Sequence, residues 1–198
     1  MKEKIILASA SNIRKEILEK HKINCEVCPP NVDESLVKNS LSKENVSPEL
    51  ISKNLAEIKS TKISTKKPNK IVLGADSVID LDGQLVNKPQ SREEAKSILM
   101  MLNGKTHFLI TSVCISKNGH MIWNYSDRSS LKMKKLDSLM IDEYLKKISD
   151  NKLFSYGVYQ IESRGKSLFE KIDGDANSIM GLPIKPILNY FKTLGLNK

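Results

Sequence analysis

The chain has 198 residues, 39% of them hydrophobic, which is enough for one folded unit with a buried core. Its longest uncharged stretch, Thr106 to Ser116, has eleven residues broken by Thr, Ser and His, well short of the roughly 20 apolar residues of a spanning helix, so no contact with a membrane is expected. The net charge of +9 comes from 32 basic and 23 acidic residues, but only four are Arg and the lysines run from Lys2 to Lys198, a pattern of solvated surface that argues against a nucleic-acid partner and leaves room for a smaller anion such as a nucleotide.

In chain order, Lys4 to Ala8 reads as a buried strand. Ser9 to Asn12 is a turn rich in helix caps, and Ile13, Ile17 and Leu18 follow at helical spacing to about His21. Ile23 to Cys28 reads as a second strand, ended by Pro29-Pro30-Asn31. Residues 29–46 are polar without periodicity and are expected as a long loop or a short irregular helix. Ser47-Pro48-Glu49 starts a helix, with Leu50, Ile51, Leu55 and Ile58 as its expected apolar face. Lys70 to Ala75 is a continuous apolar strand, as found in sheets covered on both faces. Val78 to Val86 reads as a hairpin turning at Asp82-Gly83. Ser91 and Glu94 form a capping box for a helix ending at Asn103-Gly104. Two long strands, Thr106 to Ser116 and His120 to Met133, meet at Lys117-Asn118-Gly119. Ser138 opens another helix, residues 155–172 look like short strands around glycines, and Gly181-Leu182-Pro183 leads into a final helix. Strands and helices alternate, so the class is α/β.

Three features carry chemistry. In Leu7-Ala8-Ser9-Ala10-Ser11-Asn12-Ile13-Arg14, a strand runs through small hydroxyl residues into a helix start. Free N–H groups and the helix dipole make such a start an anion site, Ser9 and Ser11 can donate to phosphate oxygens, and Arg14 can grip one in a bidentate fork. In Gly74-Ala75-Asp76-Ser77, a carboxylate follows an apolar strand, where α/β sheets place their ligand crevice. At such a strand end, outside the core, Asp76 is suited to holding a divalent cation and taking a proton from water. Finally, Lys59, Lys88 and Glu34 lie near these elements, and the two lysines with Arg14 would neutralise a triphosphate. The bland alternatives are a plain helix cap, a turn-capping Asp and solvated surface charges.

The three cysteines make no disulfide framework, and Cys25 and Cys28 with Cys114 cannot supply a four-thiolate zinc site. His21, His107 and His120 show no ligand spacing. The apolar run Ile5 to Ala8 is too short for a signal peptide, so the expected location is cytoplasmic.

Taken together, these segments resemble the Maf family of nucleoside triphosphate pyrophosphatases. The matching stretches are Leu7 to Ser11 with Arg14, Val32-Asp33-Glu34, Leu55-Ala56 with Lys59, Gly74 to Ser77, Lys88-Pro89, Leu102 to His107, Gly157 to Glu162, and Gly174-Asp175 with Gly181-Leu182-Pro183, in the family's order from residue 7 to 183. The resemblance implies an elongated mixed β-sheet flanked by helices, one domain over residues 1–198 with two lobes around a central cleft, often a homodimer. It implies that water attacks the α-phosphorus of a nucleoside triphosphate, releasing monophosphate and pyrophosphate. Asp76 matches the family's proton acceptor, and Ser9, Arg14, Lys59 and Lys88 match its phosphate-contacting positions. Glu34 matches a carboxylate near the metal, so Glu34 and Asp76 are the expected ligands of a divalent cation, Mg or Mn. A house-cleaning role with a link to cell-division arrest is also implied. The alternative is a non-catalytic nucleic-acid-binding or septum regulator on the same fold.

The departures from the family concern specificity. Asn12-Ile13-Arg14 stands where many members have Pro-Arg-Arg, and Ser77 where many have Thr. Members acting on dTTP and UTP have Gln and Gly at the positions of Glu162 and Ser163. A carboxylate at 162 resembles the branch associated with 7-methyl-GTP, since it accepts from a guanine N1–H and amino edge. Ile13, Ser77 and Glu162 are therefore the expected specificity positions, with Tyr156 as a further departure.

Overall fold

A computed structural model of the chain describes residues 4–161 and 164–196. Four buried apolar residues form β1 (Ile5–Ala8), which runs parallel to β2 (Cys25–Val27) on one side and to β3 (Val72–Leu81) on the other. Helix α1 (Asn12–Lys20) connects β1 to β2, and α2 (Glu34–Lys43) and α3 (Pro48–Lys66) connect β2 to β3. The rest of the sheet is antiparallel. β4 (Gln84–Val86) and β5 (Thr106–Lys117) pair with β3, β6 (His120–Met133) with β5, and β7 (Phe169–Asp173) with β6. The strand order is β2-β1-β3-β5-β6-β7 with β4 beside β3, a seven-stranded mixed sheet. Helices α4 (Arg92–Leu102), α5 (Ser138–Lys146), α6 (Asp150–Tyr156), α7 (Ala176–Ile179) and α8 (Ile184–Thr193) complete the α/β fold. No helix among the described residues is long and apolar enough to cross a membrane.

Both hairpin turns follow the expected chemistry. Asp82 and Gly83 (φ 53° and 80°) join Leu81 to Gln84, and Asn118 and Gly119 (φ 52° and 80°) join Lys117 to His120. Two consecutive residues with positive φ match the right-handed twist of the strands they link.

Two large apolar clusters and a small one, of Ile6, Ala8, Ile63 and Val72, lie along this one sheet. The first gathers β1, α1, the start of β3 and α8 around Leu7, Leu73 and Phe191. The second gathers β4, α4, α5 and β7 around Leu99, Leu131 and Leu145. β3 and β5 contribute to both large clusters, and the cleft opens between them.

Four elements differ from expectation. The strand at Lys70 to Ala75 does not stop before Asp76. It continues to Leu81 because β5 pairs with it throughout, while β1 leaves the sheet after Ala8, opposite Gly74. Asp76 is thus a mid-strand residue, 3% exposed, two positions beyond the end of β1. Residues 34–43 form a regular helix, capped by Asp33 Oδ1 on Leu36 N at 2.9 Å. This helix buries so little apolar surface (Leu36 is 67% exposed) that no periodicity announced it. Among the described residues of the segment expected as short strands, only Phe169–Asp173 is strand. α6 ends at Gly157 (φ 99°), and Arg164–Leu168 is a 3-10 turn. On α3, Ile51 and Leu55 are buried as expected, Leu50 is exposed and Ile58 half-buried, and Ser52, Ala56, Lys59, Ser60 and Ile63 share the buried face.

Candidate active site

The cleft has a volume of about 490 Å³ and takes its walls from both clusters. Its floor is the notch where β1 ends and β3 runs on. There β1 passes through Ser9 into α1, so the helix N-terminus opens on the cavity.

Small residues allow α3 to lie close over β3. A Cβ on Gly74 would stand 2.8 Å from Ser60 N and would also collide with Ala56 O, so only glycine admits the helix at this distance. Ser52 Oγ donates to Asp76 O at 3.2 Å, and Ser60 and Ser116 share a hydroxyl bond of 2.7 Å. The close approach brings Lys59 onto Asp76. Lys59 Nζ donates to Asp76 Oδ1 at 2.7 Å and reaches Glu34 Oε1, at the start of α2, at 2.6 Å. Lys59 is therefore buried between two carboxylates and is not a snorkelling surface charge. Asp76 Oδ2 is also buried, with no hydrogen-bond partner among the described residues. Burial works to raise the Glu34 pKa, but Lys59, Lys38 and Lys88 outweigh it and hold the carboxyl below its ordinary 4.5.

Arg14 is engaged differently from the expected bidentate phosphate fork. Nε donates to Gly181 O at 2.9 Å, Nη1 to Ser9 Oγ at 3.1 Å and Ala75 O at 3.0 Å, and Nη2 to Ser77 Oγ at 3.3 Å. Four of the five guanidinium N–H groups thus bind the protein, leaving one Nη2 proton for a ligand. Burial pushes its pKa down, with Asp76 and Glu34 pulling back. Thr111 Oγ1 gives its proton to Ser178 O at 2.8 Å, so Ser77 must donate to Thr111 across their 3.0 Å contact. The chain Arg14, Ser77, Thr111, Ser178 has one direction and fixes the Ser77 hydroxyl. Ser9 Oγ also accepts from Ser11 N at 3.2 Å. With both lone pairs occupied, its own proton is left for an acceptor in the cleft.

Lys88 lines the opposite rim and donates to Ser155 O at 2.7 Å. Part of it is exposed, yet desolvation by the cleft walls lowers its pKa from 10.5, with Glu34 pulling upward and Lys38 downward. Ile13 lines the cleft and packs against the first apolar cluster. The structure therefore brings Ser9, Ile13, Arg14, Glu34, Lys59, Asp76, Ser77 and Lys88 to one cavity. Glu162 and Ser163 lie outside the described residues.

The family described as Maf-like protein matches residues 4–194. The chain belongs to the Maf-like family. A nucleoside triphosphate pyrophosphatase of Pelagibacter ubique is 58% identical over 98% of this chain and 100% of its own length. A 7-methyl-GTP pyrophosphatase of Mesorhizobium japonicum is 38% identical over 98% of each chain. A nucleoside triphosphate pyrophosphatase of Caulobacter vibrioides is 37% identical over 96% of each.

Sequence reasoning missed three parts of this Maf-like site. Lys38 lines the cleft from a segment expected as a long loop or a short irregular helix. Its only signal was its place one helical turn after Glu34. Thr111, buried mid-strand, gave no signal at all. His107 looked like a scattered histidine, yet its Nε2 lies 2.9 Å from the hydroxyl of Tyr159, which lines the cleft. Burial lowers the His107 pKa from 6.5 to about 4, so the ring is neutral at physiological pH.

Proposed function

We propose that this chain is a nucleoside triphosphate pyrophosphatase, cleaving between the α- and β-phosphates to give a monophosphate and pyrophosphate. The observation that carries the reading is the Asp76–Lys59–Glu34 chain, with Asp76 and Lys59 buried and Glu34 half-exposed, in a cleft rimmed by cations. Phosphoryl transfer needs charge neutralisation and a positioned water, and this arrangement supplies both.

In this reading the α1 N-terminus and the free Ser9 proton hold phosphate oxygens, with Lys88 on the facing rim. Arg14 holds Ser9 in place and offers its one remaining N–H. Asp76 accepts a proton from the attacking water. Lys59 stabilises the ionised carboxylate and keeps Asp76 and Glu34 together without mutual repulsion. Two carboxylates, one with an unpartnered buried oxygen, suit a hard divalent cation that takes its remaining ligands from phosphate and water. Such a cation, Mg or Mn, would be held by Asp76 and Glu34 and would neutralise charge on the triphosphate. Base preference belongs to Glu162, whose carboxylate accepts from the donor edge of a guanine and favours the positive charge of a methylated one.

The test is hydrolysis of a panel of normal and modified nucleoside triphosphates in heavy-oxygen water, with Mg or Mn and with a chelator. The expected result is metal-dependent, equimolar monophosphate and pyrophosphate, with the heavy oxygen in the monophosphate. Release of orthophosphate, or label in the pyrophosphate, overturns the reading.

A further inference from the structure

Lys38 is 9% exposed, lines the cleft, and has no hydrogen-bond or ion-pair partner among the described residues. The stem is buried while the nitrogen is not, so the ammonium keeps contact with solvent at the cleft and is free to meet an anion there. Its charge reaches Glu34, one turn back along α2, and Lys88 on the facing rim. Lys38 thus lies beside Glu34 and shares the cleft with Lys88.

The charges are divided accordingly. The inner trio of Asp76, Lys59 and Glu34 has two carboxylates and one ammonium. The outer pair, Lys38 and Lys88, has two ammoniums and no carboxylate beyond Glu34. A metal ion is repelled by such a pair, and a neutral base or sugar has no use for it. A polyphosphate tail fits both ends, with its reacting phosphorus near Asp76 and its terminal phosphates between the two lysines.

We propose that Lys38, with Lys88, forms a subsite for the two terminal phosphates of the substrate, the pair that departs as pyrophosphate. The inference rests on the pyrophosphatase reading, and it assigns Lys38 a binding role toward the leaving group.

The test is calorimetric binding of inorganic pyrophosphate and of a nucleoside monophosphate to the full chain, for the wild type and for Lys38→Gln, Lys38→Met and Lys38→Arg. Methionine keeps the apolar stem should the glutamine variant fold poorly. Losing one charge-assisted contact is expected to weaken pyrophosphate about tenfold in both neutral variants and monophosphate by less than about twofold, with Lys38→Arg restoring most of the loss. Wild-type pyrophosphate affinity in the neutral variants overturns the proposal, as does equal weakening of both ligands, which would make Lys38 a mere support of the wall. If the wild type hydrolyses no nucleotide but binds pyrophosphate through Lys38, the reaction reading fails and the subsite stands.

Discussion

The ammonium of Lys59 sits 2.7 Å from the carboxylate of Asp76, and both side chains are at most 5% exposed. This buried ion pair changes what is expected of either residue. A strand-end carboxylate outside the core could be removed without harm to the fold. A mid-strand carboxylate neutralising a buried lysine cannot.

Asp76→Asn keeps the shape and removes the charge. Turnover is expected to fall between about a hundredfold and ten-thousandfold, the usual contribution of a positioned base. Unfolding in urea is expected to show a loss of about 1–3 kcal/mol, moderated because Glu34 still pairs with Lys59. Wild-type turnover would remove Asp76 as the proton acceptor.

Arg14→Lys keeps the charge and loses the fork that binds Gly181 O, Ala75 O, Ser9 and Ser77. Because these contacts are internal, the variant should lose about 2–3 kcal/mol of stability as well as activity, read from urea midpoints without substrate. If Arg14 serves only as a phosphate ligand, the midpoint will not move.

Gly74→Ala places a methyl group against the backbone of α3 at Ser60 and Ala56. The helix has to lift from β3, which costs about 1–3 kcal/mol and draws Lys59 away from Asp76. Both lower stability and lower turnover are expected, although the side chain at position 74 faces no substrate. Retained turnover at reduced stability would show that Lys59 does not need this close approach.

His107 makes stability depend on pH. Its folded pKa of about 4 lies below the ordinary 6.5, so between these values the unfolded chain binds more protons. Stability from this group is complete above the window and is lost as the solution is acidified through it, on the order of 3 kcal/mol in total. Glu34, whose carboxyl is held below 4.5, acts in the same direction at lower pH. Urea unfolding of the wild type and of His107→Gln from neutral pH to about pH 4 checks this, since the variant should show a shallower decline. Parallel curves would contradict it.

Much of the molecule was legible because local chemistry and packing agree there. The apolar run of β1, the Ser47-Pro48 helix start and the two positive-φ turns each state one outcome in a few residues. The site residues were legible as types, since acids and cations around a helix start imply an anion. Their relations were not. Nothing local shows that α3 closes on Gly74, so Lys59 looked like a surface lysine although it is buried between carboxylates. Arg14 looked free to bind phosphate because its acceptors Gly181 and Ala75 are far away in sequence. The helix carrying Glu34 and Lys38 was hidden because it shows the core almost no apolar face.

β3 and β5 run unbroken beneath both apolar clusters, so the two walls of the cavity share one stiff base. They cannot swing toward each other about a hinge, because that would shear a nine-rung ladder from Val72↔Ser116 to Asp80↔Phe108. Any tightening around a bound guest has to come from the rim, through α2 and the stretch joining Lys88 to Ser155, while the base stays still.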